Sequence, residues 1–330
     1  MSKKLTVIVP SYNSEDTIKK CLDSLLNQSY TSFDVYVVDD GSTDGTKEMV
    51  QKYVVNNDSI YLFCKENGGP GSARNYGLKF VKTPYVTFVD SDDFVSSVHL
   101  EKMMDQFVKY PQIDMSVCGY YIMNEKGNIK SKTKLKSKIL SSENAINKVF
   151  VDNSIAGYSC NKIYKMNIIR EKNIHFPEDI YVAEDTVFVI TYLLNCRNVM
   201  VNNKRTYYYV RYKGTISEVL SMDSEFDIRG LTILSAYDEI LRILPSNYIK
   251  AINSVCAYKA WEATHIIRHL YYLKVSNDKQ TILDQMFNIA NKNKYKFYKS
   301  DSFSLKRKIM FFLVLNSPRL FNNIFLLLKR

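Results

Sequence analysis

The stretch Val7–Thr46 reads "VIVPSYNSEDTIKKCLDSLLNQSYTSFDVYVVDDGSTDGT" and contains two short apolar runs on either side of an amphipathic segment. The runs "VIV" and "VYVV" are rich in β-branched residues, which favour buried strands. Between them, Ile18, Leu22, Leu25 and Leu26 recur at the spacing of one helix face. A strand, a helix and a second strand in this order predict a βαβ unit and therefore a parallel sheet.

The alternation continues beyond this unit, with predicted strands at "SIYLFCKE", "YVTFVDSDD" and "IDMSVCGYYIM" and helices between them. This part of the chain predicts an α/β fold with a Rossmann-like, doubly wound and mostly parallel sheet. The cationic segment 126–138 predicts a loop or a hairpin. From Met222 onward the periodicity is that of long helices. We therefore predict two domains, 1–220 and a mainly helical C-terminal domain over 221–330.

Composition narrows the class of protein. The 330 residues are 46% hydrophobic and carry a formal charge of +11, which suggests an anionic partner. No nucleic-acid-binding motif accompanies the charge, so we expect no nucleic-acid partner. Six scattered cysteines without a Cys-x-x-Cys pair favour free thiols in a reducing compartment. The N-terminal apolar run stops at Pro10, too early for a signal peptide, and we expect a cytoplasmic protein.

Three carboxylates follow the predicted strand that begins at Tyr85, namely Asp90, Asp92 and Asp93. Carboxylates this close raise each other's pKa unless positive charge lies among them. One interpretation is a solvated turn in which Ser91 or Asp93 caps the next helix. The other is a site for Mg²⁺ or Mn²⁺, which prefer oxygen ligands and bridge to phosphate groups.

Other polar clusters follow the remaining strands, where ligands of doubly wound sheets bind. They are Pro10-Ser11-Tyr12-Asn13, Asp39-Asp40 and Asn67-Gly68-Gly69. Asp40 has two interpretations, a residue of a tight turn or an acceptor for a nucleobase N–H. The glycine-rich segment "NGGPGSARNYG" has neither dinucleotide-loop nor Walker spacing. Its glycines predict close approach of the backbone to a ligand.

Taken in order, "VIVPSYN", "VVDDGSTDGT", "NGGPGSARNYGL" and "FVDSDD" resemble the motifs of the inverting nucleotide-sugar glycosyltransferases known as family 2, which have the GT-A fold. The resemblance is strong over the first 110 residues and continues more thinly to Ser217. It implies a non-processive enzyme that moves one sugar from a UDP-sugar to a saccharide acceptor. The Gln-x-x-Arg-Trp motif of the processive members is absent, because Trp261 follows Lys-Ala.

The resemblance also implies roles for individual residues. Asp92, with help from Asp90, would ligate Mn²⁺ or Mg²⁺. Asp185 in "YVAEDTVFVITYLL" matches the catalytic base, although a carboxylate at a helix start is also favoured by the dipole alone. In "TYYYVRYKGTIS", Arg211 and Lys213 would contact the diphosphate, or the segment is an exposed strand. The residues expected to bind the nucleotide sugar are Pro10, Tyr12, Asn13, Asp40, Gly69, Arg74, Asp90, Ser91 and Arg211.

Three alternatives stay open. The chain is a glycosyltransferase or a non-catalytic subunit that binds a nucleotide sugar and scaffolds a glycosylation complex. Its apolar and basic tail contacts the inner membrane surface or buries its phenylalanines in a helical domain or a homo-oligomer interface. The segment "AGYSCNKIYK" lines an acceptor pocket through Tyr158, Asn161 and Lys162, or it is scaffold.

Overall fold

The structure, a computed structural model, describes residues 3–133, 135–150, 155–212, 225–273 and 279–322. The predicted domain boundary at residue 220 and the candidate Lys213 lie outside these residues. Contacts between Cα atoms divide the chain into two units. The first comprises Met1–Ile146, Ser154–Asp179 and Glu184–Tyr212, and the second comprises Asn147–Asn153, Ile180–Ala183 and Lys213–Arg330.

A mixed sheet of ten strands forms among the described residues, in the order β3-β2-β1-β4-β9-β6-β10-β5, with β7 on β6 and β8 on β10. The strands are β1 (Leu5–Ser11), β2 (Phe33–Asp39), β3 (Ile60–Cys64), β4 (Tyr85–Phe88), β5 (Phe94–Val95), β6 (Met115–Asn124), β7 (Ile129–Lys132), β8 (Lys138–Ser141), β9 (Lys162–Lys165) and β10 (Asn198–Arg211).

Helices connect these strands and make up the C-terminal part. They are α1 (Ile18–Leu26), α2 (Thr46–Asn56), α3 (Gly69–Phe80), α4 (His99–Lys109), α5 (Ser142–Phe150), α6 (Met166–Glu171), α7 (Glu184–Leu194), α8 (Thr232–Ile243), α9 (Ile249–Tyr272), α10 (Gln280–Lys299) and α11 (Leu305–Asn316).

The predicted doubly wound, mostly parallel fold with a helical C-terminal region is confirmed. β1 pairs in parallel with β2 and β4, and β2 with β3, so the strand order reverses at β1. The fifth predicted strand, β6, does not lie beside β4, because β9 inserts between them and is antiparallel to both. β9 is only four residues long, too short for its sequence to show the hydrophobic period of a strand. β7 turns back on β6, which makes part of segment 126–138 a hairpin.

The core of the first unit explains why its strands are apolar on both sides. Every residue of β1 is buried. Leu5, Val7 and Val9 belong to the cluster that also contains the buried face of α1. Ile8 points to the other face, where a Cβ on Gly77 of α3 would lie 2.9 Å from the Ile8 Cγ2 atom. A glycine is therefore required at that position for α3 to lie this close to the sheet.

The second unit is held by an aromatic cluster. Phe297 of α10 stacks on Phe311 of α11 at 4.1 Å between ring centroids and on Trp261 of α9 at 5.8 Å. Phe303 packs against the rings of Trp261 and Phe297. Burial of Phe311 agrees with the packing alternative for the tail, whereas Phe312 is 55% exposed. Within the described ranges no helix is both long and apolar enough to cross a bilayer.

Candidate active site

Asp40 lies at the carboxyl end of β2 and is held by several donors. Lys65 Nζ lies 2.7 Å from Asp40 Oδ1, and the amides of Gly68 and Gly69 donate to the carboxylate at 2.7–3.2 Å. Its side chain is almost fully buried. A nucleobase N–H would have to share these oxygens or displace the Lys65 ammonium. Sequence reasoning missed Lys65, although its place directly after β3 was the available signal.

The glycine-rich loop closes around this carboxylate. Gly69 has φ +85°, a left-handed conformation that strongly favours glycine, and its amide makes the shortest of the Gly68 and Gly69 contacts to Asp40. The loop was predicted to approach a ligand, and the structure shows its amides on a protein carboxylate. A direct contact of Gly69 with the donor stays a prediction.

The end of β1 presents groups of different exposure. Pro10 is buried in the strand, whereas half of Tyr12 is exposed and its ring is free to contact a ligand. Asn13 adopts φ +47°, and its side-chain oxygen accepts from the Thr43 amide at 2.8 Å. This contact ties the loop after β1 to the turn after β2.

Ser11 and Asp39 belong to the predicted strand-end clusters but were not singled out as ligand contacts. They are register partners on β1 and β2, and both are buried. Ser11 Oγ and Asp39 Oδ1 have no hydrogen-bond partner within the described part of the chain. Unpaired buried polar atoms cost free energy unless water or a ligand satisfies them. Both were quoted as part of strand-end clusters, but no pattern in the sequence separates them from their neighbours.

Arg74 of α3 joins the two acidic clusters. Its guanidinium nitrogens lie 2.8 Å from Asp90 Oδ1 and 2.8 Å from Glu184 Oε1, and the residue is 6% exposed. The charges of Asp90 and Glu184 raise the pKa of Arg74 despite burial. The structure therefore shows Arg74 bridging protein carboxylates, and a contact with the nucleotide sugar stays a prediction. The side chain of Asn75 donates to the carbonyl oxygen of Phe176 and accepts from its amide, each at 2.8 Å.

The three aspartates after β4 differ in their surroundings. Burial, and next the charge of Asp90, raise the pKa of Asp92 to about 7. Asp93 is buried and accepts from Tyr207 Oη at 2.6 Å and from the Val210 amide at 2.8 Å, so it fastens β10 to this turn. Ser91 Oγ hydrogen-bonds to Ser14 Oγ at 2.8 Å. That bond links the chain segments that follow β1 and β4, beside the strand at which the order reverses.

Two sets of groups could hold a cation here. Ligand atoms of Asp90, Asp93 and Cys160 come within 4.8 Å of one another, which is the one such cluster among the described residues. Asp93 is already doubly hydrogen-bonded, and a buried thiol is a soft ligand that Mg²⁺ and Mn²⁺ disfavour. Asp90 and Asp92 are less buried and offer oxygen atoms, so the donor set fits a hard cation at that pair.

Asp185 lies in the first turn of α7 and shares its surroundings with the metal candidates. Burial raises the pKa of Asp185, the guanidinium of Arg74 opposes the rise, and the charge of Asp90 adds to it. Asp185 is therefore within electrostatic reach of both Arg74 and Asp90. The structure brings the predicted base and the acidic strand end together in one polar region.

Arg211 lies at the end of β10 and is exposed. Burial raises the pKa of Tyr158 to about 12, the negative charge of Asp185 adds to the rise and the positive charge of Arg211 opposes it, so Tyr158 lies near both groups. Burial raises the pKa of Tyr212, the next residue, and the nearby charges of Asp92 and Asp93 add to the rise. The carboxyl end of β10 therefore borders the acidic region.

Comparisons with known proteins find matches in both sequence and fold. A profile of the family described as "Glycosyl transferase family 2" matches residues 6–170. A poly(ribitol-phosphate) beta-glucosyltransferase of Bacillus spizizenii is 32% identical over 63% of this chain, and the match covers 32% of that enzyme. The chain thus spans about a third of the length of this curated relative.

Solved structures show the same fold. Staphylococcus aureus TarS residues 1–349, in complex with UDP-GlcNAc, align with a TM-score of 0.58 and 23% identity over 89% of this chain and 90% of that one. The mannosyltransferase PcManGT from Pyrobaculum calidifontis, in complex with GDP-Man and Mn²⁺, aligns with a TM-score of 0.59 and 17% identity over 97% and 88%.

Proposed function

We propose that this chain, which belongs to glycosyl transferase family 2, is a glycosyltransferase. It moves one sugar from a UDP-sugar to a hydroxyl of a saccharide acceptor, with a divalent cation and with inversion at the anomeric carbon. The observation that carries the proposal is the bridge made by Arg74 between Asp90 and Glu184, at 2.8 Å to each carboxylate. That bridge joins Asp90, a candidate metal ligand, to Glu184, the residue before Asp185. A scaffold without turnover would not need the two acidic clusters to meet.

Asp185 acts as the general base in this proposal. The acceptor hydroxyl oxygen attacks the anomeric carbon, its proton passes to Asp185, and the bond from that carbon to the phosphate oxygen breaks. UDP leaves with the electron pair. A hydroxyl is a weak nucleophile, so a carboxylate within hydrogen-bond reach is needed. Burial favours this role, because it raises the pKa of Asp185 above its usual range.

Asp92 and Asp90 would hold Mn²⁺ or Mg²⁺. When bound, the cation neutralises negative charge on the departing diphosphate. Tyr12, Asp40 and Arg211 would contact the nucleotide part of the donor. Support for a UDP-sugar donor and for Mn²⁺ comes from the ligands of the two solved relatives, UDP-GlcNAc in one and Mn²⁺ with GDP-Man in the other.

Donor and metal are tested together by measuring the release of nucleoside diphosphate without any acceptor. The full chain is incubated with a panel of UDP-sugars and with GDP-mannose, each with Mn²⁺, with Mg²⁺ or with EDTA. We expect hydrolysis of a UDP-sugar that a divalent cation stimulates and EDTA abolishes. Asp92→Asn should lose that stimulation.

Asp58→Asn is the matched control, because Asp58 is an exposed aspartate before β3, away from β4. It should retain wild-type hydrolysis. Release that is equally fast in EDTA, or a preference for GDP-mannose, would contradict the proposed metal dependence or the proposed donor.

The tail is proposed to contact an anionic lipid surface. On α11, Leu305, Ile309 and Phe312 follow one helix face and are 73%, 52% and 55% exposed. Residues 285–322 contain eight Lys and Arg and one acidic residue, Asp301. An apolar stripe with flanking cations is the pattern of a helix that lies in the membrane interface. The remaining α11 phenylalanine, Phe311, is buried and serves packing.

A further inference from the structure

The segment Ile155–Lys162 is built as a rigid support beside the proposed base. Lys162 is 0% exposed, and its ammonium donates to the carbonyl oxygens of Ile155 at 3.1 Å and Tyr158 at 2.6 Å and to Asn161 Oδ1 at 2.9 Å. A buried ammonium is costly unless its three donors are paired. Here all three are paired, so the lysine fixes the path of the segment.

Two neighbours hold the segment against the rest of the site. Asn161 Nδ2 donates to the Cys118 carbonyl of β6 at 2.6 Å. A Cβ on Gly157 would lie 2.3 Å from the Oγ1 atom of Thr186, the residue that follows Asp185. The segment thus touches the first turn of α7 directly, and no side chain fits between them.

One side chain of this segment combines partial exposure with a free polar group. The ring of Tyr158 stacks on Tyr209 with centroids 5.6 Å apart and planes at 10°, and it meets Tyr120 edge-on. These contacts fix the ring. Its hydroxyl has no hydrogen-bond partner in the described part of the chain, and the residue is partly exposed. Asn161 and Lys162 are buried, so of the three residues predicted to line an acceptor pocket only Tyr158 can reach a ligand.

We propose that Tyr158 is an acceptor-binding residue whose hydroxyl hydrogen-bonds to a saccharide hydroxyl next to the one that Asp185 deprotonates, and that Lys162 is the positioning residue that holds it there. This inference rests on the proposed glycosyl transfer. A phenol that is fixed by stacking loses little entropy when it binds, and a sugar offers both donors and acceptors to it.

The test compares Tyr158→Phe with the wild-type full chain, because the substitution removes the hydroxyl and keeps the stacked ring. Release of UDP from the preferred UDP-sugar is measured without acceptor and with p-nitrophenyl glycosides of glucose, galactose, GlcNAc and GalNAc. We expect unchanged hydrolysis without acceptor. With the best glycoside, KM should rise about 3- to 10-fold, the loss of one hydrogen bond, while kcat stays within about twofold.

Tyr61→Phe on β3 is the control, since Tyr61 is 43% exposed at the edge of the sheet. It should leave every parameter unchanged. Lys162→Met should also raise the glycoside KM while UDP still binds, which separates a displaced Tyr158 from a loss of the fold.

The inference is overturned if Tyr158→Phe uses the glycoside as well as the wild type does. It is also overturned if the wild type hydrolyses its donor and none of the four glycosides accelerates UDP release, because a hydroxyl that recognises sugar hydroxyls should accept one of them. Absence of any donor hydrolysis would instead refute the proposed function itself.

Discussion

Arg74 shows at the scale of one residue how the site is held together. Its guanidinium is buried between Asp90 and Glu184 and has a second contact face on the Phe176 ring, 5.4 Å from the centroid. Removing one partner of a buried charge network leaves the other charges uncompensated. The sequence marked Arg74 as a ligand contact, whereas the structure gives it carboxylate partners that come from 16 and 110 residues away.

Arg74→Met should therefore destabilise the fold by about 3–5 kcal/mol. Urea unfolding at constant pH measures the effect, and the double variant Arg74→Met with Glu184→Gln should recover part of it. Arg242→Met removes an exposed arginine on α8 and should leave the midpoint unchanged. A loss below about 1 kcal/mol for Arg74→Met would contradict a structural role for the bridge.

The sequence predicted the location of a residue best when that residue directly follows an apolar strand. Asp40, Asp90 and Asp92 follow apolar strands, and strand ends of a parallel sheet meet at one edge. Asp185 needed the family resemblance, because a carboxylate at a helix start has a local explanation as well. Lys65 and Lys162 were not assigned their roles, since the pairing of a lysine depends on long-range contacts that local periodicity does not contain.

Among the helices and strands, long segments with a clear hydrophobic period were predicted correctly, whereas short elements were missed. The strands β1 to β4 overlap the segments predicted as strands, and α1 covers the predicted helix face, whereas α5 and α6 were not predicted. β9 was not predicted, because a four-residue strand beside a loop has no clear hydrophobic period. Its position between β4 and β6 depends on long-range strand pairing, which the local sequence pattern does not contain. On α11, Leu305, Ile309 and Phe312 are exposed.

The exposed stripe of α11 predicts binding to anionic vesicles. The full chain should co-sediment with phosphatidylglycerol-containing vesicles and much less with phosphatidylcholine alone, because the flanking lysines need anionic headgroups. Ile309→Asn with Phe312→Asn should reduce the bound fraction several-fold, and so should Lys306→Glu with Lys308→Glu.

Val55→Asn is the matched control, since Val55 is 76% exposed on α2, in the other unit. It should bind vesicles as the wild type does. Equal sedimentation with both vesicle types, or a stripe variant that changes only the oligomeric state in size-exclusion chromatography, would favour a protein interface over a lipid surface.

In the molecule as a whole, the proposed nucleotide-sugar site lies at the strand ends and the proposed base at the start of α7. Both lie in the first unit, and the two ends of the Arg74 bridge connect them. The family and the fold rest on the comparisons, whereas the activity, the donor, the metal and the acceptor contact are proposals with their own experiments.

The proposed role of Asp185 as the general base is tested most directly by Asp185→Asn. The control is Asp179→Asn, which changes an exposed aspartate six residues earlier. The account predicts that Asp185→Asn lowers kcat for UDP release about 10²- to 10⁴-fold, with or without a glycoside acceptor, while calorimetry shows unchanged binding of UDP in the presence of Mn²⁺. Asp179→Asn should behave as the wild type. Wild-type kcat in Asp185→Asn would contradict the account.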